Sequence, residues 1–165
     1  MNAIFTRTSV RSYEEKPVEA EKIEKILRAA MAAPSAMNQQ PWEFYVVTGK
    51  NVLQELSQAS PYADMVAGAP VAIVVCGRKD NLPVPDLMQV DLSLATENIL
   101  LEIETQGLGG VMLGIAPMAD RMERVARIID LPENLEAFTV VPFGYPAKKN
   151  PQQDRYDEHR VHYVK

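Results

Sequence analysis

The amino-acid sequence predicts an α+β fold in one domain that spans residues 1–165. Two kinds of segment indicate this class: stretches with apolar residues at helical spacing, and short apolar runs rich in the residues that favour strands. Helical segments lie between the strand-like runs. The spacing of those runs nevertheless suits α+β better than a doubly wound parallel sheet.

The first helix is predicted over residues 19–33. Ile23, Ile26 and Leu27 stand at the i, i+3, i+4 spacing of a helix with one buried face. Pro34 disfavours helical backbone at the residue before it, so the helix should end there. Three shorter elements follow: a strand at 44–47, a helix at 52–59, and a continuously apolar, buried strand at 70–76. Cys76 closes that strand, and we expect a buried thiol rather than a reactive one.

A second long helix, over residues 90–106, is apolar on nearly every side. Such a helix must be buried all round, which in a chain of this size indicates a central position or a subunit interface. Glycines at 107, 109 and 110 end it. The elements predicted after them are a strand at 111–113, a helix with Asp120 as N-cap and Glu123 as capping-box partner, and a strand at 138–141.

The C-terminal tail divides into two parts. Residues 148–157 are polar and contain proline, so they are expected to form an extended loop. Residues 160–165 resemble a short strand far from the core helices. A strand in that position needs a sheet edge to join, and a partner subunit is one source of such an edge.

Composition narrows the possible functions. The formal net charge is −5, which argues against general nucleic-acid binding because that needs a basic face. One cysteine and two histidines offer no disulfide framework and little for a metal site. The first residues carry no secretion signal and no apolar run reaches membrane-spanning length, so we expect a cytoplasmic protein.

Common catalytic motifs are missing from the sequence. The glycines at 107, 109 and 110 follow a predicted helix rather than a strand, and the G-x-G-x-x-G spacing fails at Met112, which excludes a Rossmann site. No P-loop, H-E-x-x-H or G-x-S-x-G occurs. His159 and His162 lie in the tail, where solvated or pairing roles suit them better than that of a general base.

Residues 7–13 form the first of two polar segments that could carry chemistry. They combine two arginines with three Ser or Thr hydroxyls. If the segment is extended, Arg7, Ser9 and Arg11 lie on one side, where guanidinium groups can bind a phosphate or a ring carbonyl. The alternative is a solvated, charged N-terminal segment.

The second segment is residues 33–42, between a predicted helix and a predicted strand. Two prolines bracket small and amide residues, which makes a rigid loop rich in donors and acceptors. Asn and Gln amides match the donor–acceptor edge of a flat heterocycle. The alternative is a purely structural connection with Trp42 anchored in the core.

Together these segments resemble the FMN-dependent nitroreductase family, and the resemblance covers nearly the whole chain. The motifs that carry it are R-x-S-x-[RK] at Arg7–Arg11, P-S-x-x-N-x-Q-P-W at Pro34–Trp42, a long apolar helix ending in G-L-G at Gly109, L-G-x-x-P at Leu113–Pro117, and G-Y-P at Gly144–Pro146. The resemblance implies a three-layer fold with a mixed central sheet between helices. It also implies a homodimer whose C-terminal strands are exchanged between subunits.

The resemblance assigns residues to each end of FMN. Arg7, Thr8 and Ser9 would contact the phosphate and ribityl chain, and Arg11 would face the pyrimidine edge of the ring. Arg155 matches the family's late phosphate-binding arginine, with Lys148 and Arg160 as alternatives in the loosely aligned tail.

Other assigned residues would lie along the isoalloxazine ring. Its contacts from the other subunit would come from Pro34, Ser35, Ala36, Met37 and Asn38. The backbone of Leu113, Gly114 and Ile115 would lie against the ring. Two departures from larger relatives stand out. The stretch between Cys76 and Asp91 is short where those relatives insert helices over the flavin, which leaves the substrate open, and residues 62–65 replace the polar residues that they place at one edge of the ring.

The implied activity is a ping-pong reaction in which NAD(P)H reduces the flavin and leaves before a small electron acceptor takes the electrons. Nitroaromatics and quinones are the acceptors that the resemblance suggests. No side chain is predicted to act as a catalytic acid or base, since the cofactor carries the chemistry. The alternative function is a flavin-binding store or sensor without turnover.

Overall fold

The computed structural model describes residues 2–148, 151–152 and 154–165. Its helices are α1 (Ala3–Thr6), α2 (Ala20–Met31), α3 (Lys50–Leu56), α4 (Met88–Thr105) and α5 (Ala119–Ile128). Its strands are β1 (Trp42–Val47), β2 (Val71–Arg78), β3 (Gly109–Gly110), β4 (Leu113–Gly114) and β5 (Leu135–Gly144). Short 3-10 helices lie at Ala36–Asn38, Asp64–Gly68, Pro85–Leu87 and Glu158–Arg160. The predicted α+β class is confirmed.

Strand β2 shows how the sequence produces three layers. Its side chains alternate between the two faces of the sheet, as the strand geometry requires. Ile73 and Val75 pack in one apolar cluster with α2 and α4, whereas Val74 and Cys76 pack in the other with residues of α3 and α5. A strand buried on both faces reads as a continuous apolar run, which is the pattern found at 70–76.

The sheet has the order β1-β2-β5-β3, and β4 also pairs with β5. All these strand pairs are antiparallel. Among the residues described, the parallel part of the predicted mixed sheet is limited to one isolated bridge, between Ser9 and Gly110. The mixed sheet implied by the resemblance is therefore almost wholly antiparallel here, with helices on both of its faces.

The N-terminal segment is fixed to this sheet through that bridge. Val10 is 2% exposed and donates its N–H to the carbonyl oxygen of Gly110 at 3.0 Å. Gly109 makes the approach possible, since a Cβ atom there would lie 2.5 Å from Cγ2 of Val10. Residues 7–11 therefore have a defined position against the sheet and are not a freely solvated terminus.

Two local predictions were wrong, and a third is not tested by a single chain. The strand expected at 111–113 is divided into β3 and β4. Helix α5 has Met118 as its N-cap, without a side-chain hydrogen bond, and Asp120 lies in the first turn. Residues 161–165 form no strand in the single described chain, and their pairing with a sheet edge of a partner subunit stays a prediction.

Helix α4 is buried on the sides that face α2 and the sheet, but Val90 and Leu94 are 53% and 41% exposed. The all-round burial predicted for this helix is therefore incomplete in one chain. No helix in the described ranges is both long and apolar enough to cross a membrane.

Candidate functional site

A cavity of about 880 Å³ lies between the N-terminal segment and the tail. Its lining brings together residues that are far apart in the sequence: Ile4, Phe5, Arg7, Thr8, Ser9, Arg11, Pro151, Gln152, Asp154, Arg155 and Tyr156. Three guanidinium groups thus border one space, which we call the arginine cavity. A cluster of this kind can bind a phosphate dianion through charge-assisted hydrogen bonds.

Local structure explains how the N-terminal segment reaches the arginine cavity. Helix α1 ends at Thr6, and Arg7 continues in extended backbone with φ −60° and ψ 130°. Val10 then points into the core, so Ser9 and Arg11 on either side of it face outward. The predicted grouping of Arg7, Ser9 and Arg11 on one side agrees with this arrangement.

Polar groups in the arginine cavity are incompletely paired. Oγ1 of Thr8 is buried and has no hydrogen-bond partner among the described residues, which is uncommon for a buried hydroxyl. Nε of Arg7 lies 3.9 Å from Oε1 of Glu97, so the contact is long. The one acid in the lining, Asp154, accepts a hydrogen bond from the N–H of Tyr156 at 3.0 Å. These donors fit a ligand with a phosphate and a hydroxylated chain.

The tail contributes Arg155 to this lining, but neither Lys148 nor Arg160. Lys148 is exposed outside it. Arg160 pairs with Asp157, with Nε and Oδ2 3.2 Å apart. Of the three candidate tail cations, Arg155 is the one that lines the same cavity as Arg7.

A second cavity, of about 420 Å³, adjoins the first and shares Arg11 with it. We call it the Gly114 cavity; its lining is Arg11, Ser60, Tyr62, Asp64, Met65, Met112, Leu113, Gly114 and Arg121. Gly114 is exposed, and an added Cβ there would meet nothing nearer than Cε of Met118 at 3.9 Å. A flat ligand can therefore approach the backbone closely at this point. Ile115 does not line this cavity and its side chain lies in the core at 1% exposure, so the contact predicted for its backbone stays a prediction.

The loop that holds Pro34, Ser35, Ala36, Met37 and Asn38 lines neither cavity of its own chain. It is nevertheless held firmly. Buried Asp91 accepts hydrogen bonds from the N–H of Ala36 at 2.9 Å and from Nε2 of Gln39 at 2.7 Å. Nη2 of Arg78 donates to the carbonyl oxygens of Gln39 and Gln40 at 3.1 Å each.

The same loop is strained at its tip. Met37 and Asn38 have φ values of 49° and 54°, a left-handed backbone conformation that residues other than glycine seldom adopt. Met37 is 79% exposed. Strain of this kind persists only where surrounding contacts enforce it, and it is concentrated at functional sites. A fixed, exposed tip is suited to contact a molecule outside the chain.

Sequence reasoning missed Arg121 and only partly anticipated Tyr62. Arg121 lies in the first turn of a helix, where the amphipathic pattern suggests a solvated residue. The sequence indicated that segment 62–65 departs from larger relatives, but its proximity to Gly114 depends on the fold.

Cys76 is buried as predicted, and this burial raises the pKa of its thiol to about 12, which disfavours the reactive thiolate.

Comparisons with known proteins point to one family. The profile of the Nitroreductase family matches residues 4–60 and 58–145. A Methanothermobacter thermautotrophicus protein, provisionally named an NADH dehydrogenase/NAD(P)H nitroreductase, is 41% identical over 165 residues, which cover 100% of this chain and 86% of the relative. A crystal structure from Clostridium acetobutylicum, of a protein provisionally named an NADH oxidase, has a TM-score of 0.95 and 42% identity and covers 99% of each chain. An FMN-dependent nitroreductase from Clostridium difficile R20291 has a TM-score of 0.92 and 28% identity and covers 99% of this chain and 98% of its own.

Proposed function

The chain belongs to the nitroreductase family, and from this premise we propose that it is an FMN-dependent oxidoreductase that uses NAD(P)H to reduce a small electron acceptor. The observation that carries the proposal is the pair of adjoining cavities. One is rich in arginine and holds an unpartnered hydroxyl, and the other exposes a strand backbone. Their arrangement matches the polar and the planar halves of FMN.

Each end of the site has a role that its residues can perform. Arg7 and Arg155, with Thr8 and Ser9, bind the phosphate and ribityl chain in the arginine cavity. Arg11 lies where the two cavities meet and places positive charge beside the pyrimidine edge of the ring. The backbone of Leu113 and Gly114 forms the wall on which the ring lies.

When bound, FMN supplies the capacity to accept a hydride from NAD(P)H and to pass electrons on. The chain supplies binding, orientation and charge. No dinucleotide fingerprint accompanies the site, so NAD(P)H is treated as a transient substrate. We propose that the nucleotide and the acceptor occupy in turn the part of the Gly114 cavity that the flavin ring leaves open, which gives a ping-pong order. Nitroaromatics and quinones are suitable acceptors because they are planar.

We also propose that the active form is a homodimer in the cytoplasm. The loop at 34–38 lies outside both cavities of its own chain, so its contact with flavin requires a second copy. Several large apolar side chains are exposed: Ile4, Phe5, Val90, Leu94, Tyr163 and Val164. Light scattering in solution should therefore give twice the mass of one chain, and the mass of a single chain would contradict the shared site.

The experiment that tests the function is an anaerobic visible spectrum of the FMN-loaded protein. NADH or NADPH should bleach the flavin absorbance, and an added quinone or nitroaromatic should restore it. A flavin spectrum that neither nucleotide changes would instead favour the store or sensor. A protein that takes up no FMN would contradict both.

Replacement of Arg11 by alanine should slow flavin reduction by NAD(P)H about tenfold, because charge-assisted contacts contribute about 1.5–3 kcal/mol. Stopped-flow absorbance under anaerobic conditions measures the rate. Arg127→Ala is the matched control, since Arg127 is exposed on α5 and lies outside both cavities. Reduction at the wild-type rate in Arg11→Ala would refute the role of Arg11.

A further inference from the structure

We propose that the Gly114 cavity selects planar acceptors that carry a negative charge, such as a carboxylate on an aromatic ring. Arg121 binds the anion, and Tyr62 provides a surface for the ring. This inference rests on the proposed function, because it places the acceptor beside the backbone that faces the flavin. It goes further by naming the acceptor's charge and the side chain that recognises it.

Arg121 uses one of its donors in a hydrogen bond to another described residue. It lines the Gly114 cavity, and its Nη1 donates to the carbonyl oxygen of Gly114 at 3.0 Å. A guanidinium group has five N–H donors. Its other donors have no partner in the described parts of the chain, and no carboxylate there lies within 4.0 Å of it. One bond to the backbone orients the guanidinium and leaves the rest of the fork available for a carboxylate.

Tyr62 lies beside this cation. The centre of its ring is 5.9 Å from Cζ of Arg121, within the range of a cation–π contact. The side chain is 72% exposed, so a face of the ring is accessible to a planar ligand. The N–H of Tyr62 donates to Oγ of Ser60 at 3.2 Å, which fixes the backbone that carries the ring. Met65 and Met112 add polarizable apolar surface to the same lining.

The charges around the Gly114 cavity favour an anion. Arg11 and Arg121 contribute two positive charges to its lining and Asp64 contributes one negative charge. The chain as a whole has a formal net charge of −5, so the net charge of this lining is opposite in sign to that of the molecule. A concave site with a local excess of positive charge attracts anionic ligands and raises their rate of association.

The test compares 4-nitrobenzoate with 4-nitrobenzamide, which have nearly the same shape but differ in charge. Calorimetry on the FMN-loaded protein, without nucleotide, gives both dissociation constants. We expect the wild type to bind the carboxylate about tenfold more tightly than the amide, as one charge-assisted contact in a partly exposed site would provide. A wild type that binds the two equally would overturn the proposal.

Variants assign that preference to Arg121. Arg121→Gln should bring the ratio of the two dissociation constants close to one, whereas Arg121→Lys, which keeps the charge, should retain part of the preference. Arg127→Gln removes the same charge from the exposed face of α5 and should leave the ratio unchanged. If Arg121→Gln keeps the wild-type ratio, the assignment is wrong. If it folds but loses FMN, Arg121 belongs to the cofactor's own binding site and the proposal also fails.

The proposed function and the proposed anion site are tested by separate measurements. The ratio of dissociation constants is measured without NAD(P)H, so it does not depend on turnover. If the protein binds the two ligands with different affinities but neither nucleotide bleaches its flavin, the proposed function is wrong and the anion site stands. If nucleotide bleaches the flavin but the two ligands bind equally, the proposed function stands and the anion site is wrong.

Discussion

Replacement of Arg155 by alanine is expected to raise the dissociation constant for FMN about 100-fold, since arginine–phosphate pairs are bidentate and each charge-assisted hydrogen bond contributes about 1.5–3 kcal/mol. Arg155 lines the arginine cavity opposite the N-terminal segment. Arg7 remains in place in the variant, so binding should weaken rather than disappear. Titration of the apoprotein with FMN, followed by quenching of flavin fluorescence, gives the dissociation constant.

The tail itself provides the controls. Arg160→Ala and Lys148→Ala each remove one positive charge from the same part of the sequence, but neither residue lines the arginine cavity. Arg160 is engaged with Asp157 and is therefore not positioned for the phosphate. Both controls should bind FMN within about twofold of the wild type, as surface charges contribute little. A larger loss of affinity in either control than in Arg155→Ala would transfer the phosphate role to that residue.

Local features of the arginine cavity could be predicted from the sequence, but contacts between distant residues could not. The grouping of Arg7, Ser9 and Arg11 could be predicted because alternation in an extended segment is a local property. The position of Arg155 could not, since some 150 residues separate it from Arg7 and only the folded chain determines their proximity. The resemblance pointed to Arg155, but the loose alignment of the tail left Lys148 and Arg160 as alternatives. The structure distinguishes the three because two of them lie outside the arginine cavity.

The same distinction applies to the fold. The apolar run at 70–76 predicted β2 well, because a strand buried on both faces has apolar residues at consecutive positions. The residues 160–165 also have strand-like composition, yet no strand forms there in the single described chain. A strand depends on a neighbouring edge that composition cannot provide. The exchange of this segment with a partner stays a prediction.

Arg121 illustrates a third limit. Helical periodicity assigns a residue to the face of a helix, but it does not say what lies opposite that face. Here β4 ends at Gly114 and α5 begins at Ala119, so the guanidinium of Arg121 returns to the carbonyl oxygen of Gly114 across the intervening loop. The contact depends on the path of the chain between them.

Asp91 is the residue on which the loop at 34–38 depends most. One of its carboxylate oxygens accepts a hydrogen bond from Ala36 in that loop and the other from Gln39 just after it, and Asp91 is only 2% exposed. The amide of Gln39 is held on its other side as well: it donates to the carbonyl oxygen of Val84 and accepts from the N–H of Val84, each at 3.0 Å. Loss of Asp91 would therefore disturb a connected network rather than one bond.

Asp91→Asn keeps the shape of the side chain but replaces one acceptor oxygen by a donor. Because both partners of Asp91 are N–H groups, the new amide must face a donor, and one buried N–H loses its partner. We expect the free energy of unfolding to fall by about 2–4 kcal/mol, in line with the cost of breaking a buried charged network. Urea denaturation followed by Trp42 fluorescence measures the change, with the exposed Asp86→Asn as matched control.

The functional consequence of Asp91→Asn follows from where the loop lies. Met37 and Asn38 hold left-handed backbone that the network around Asp91 enforces, so release of that network should let the tip relax. If the tip contacts flavin in the partner subunit, the folded variant should bind FMN more weakly than Asp86→Asn does, at temperatures where both are fully folded. Equal FMN affinity in the two variants would limit Asp91 to a structural role and would weaken the case for a shared site.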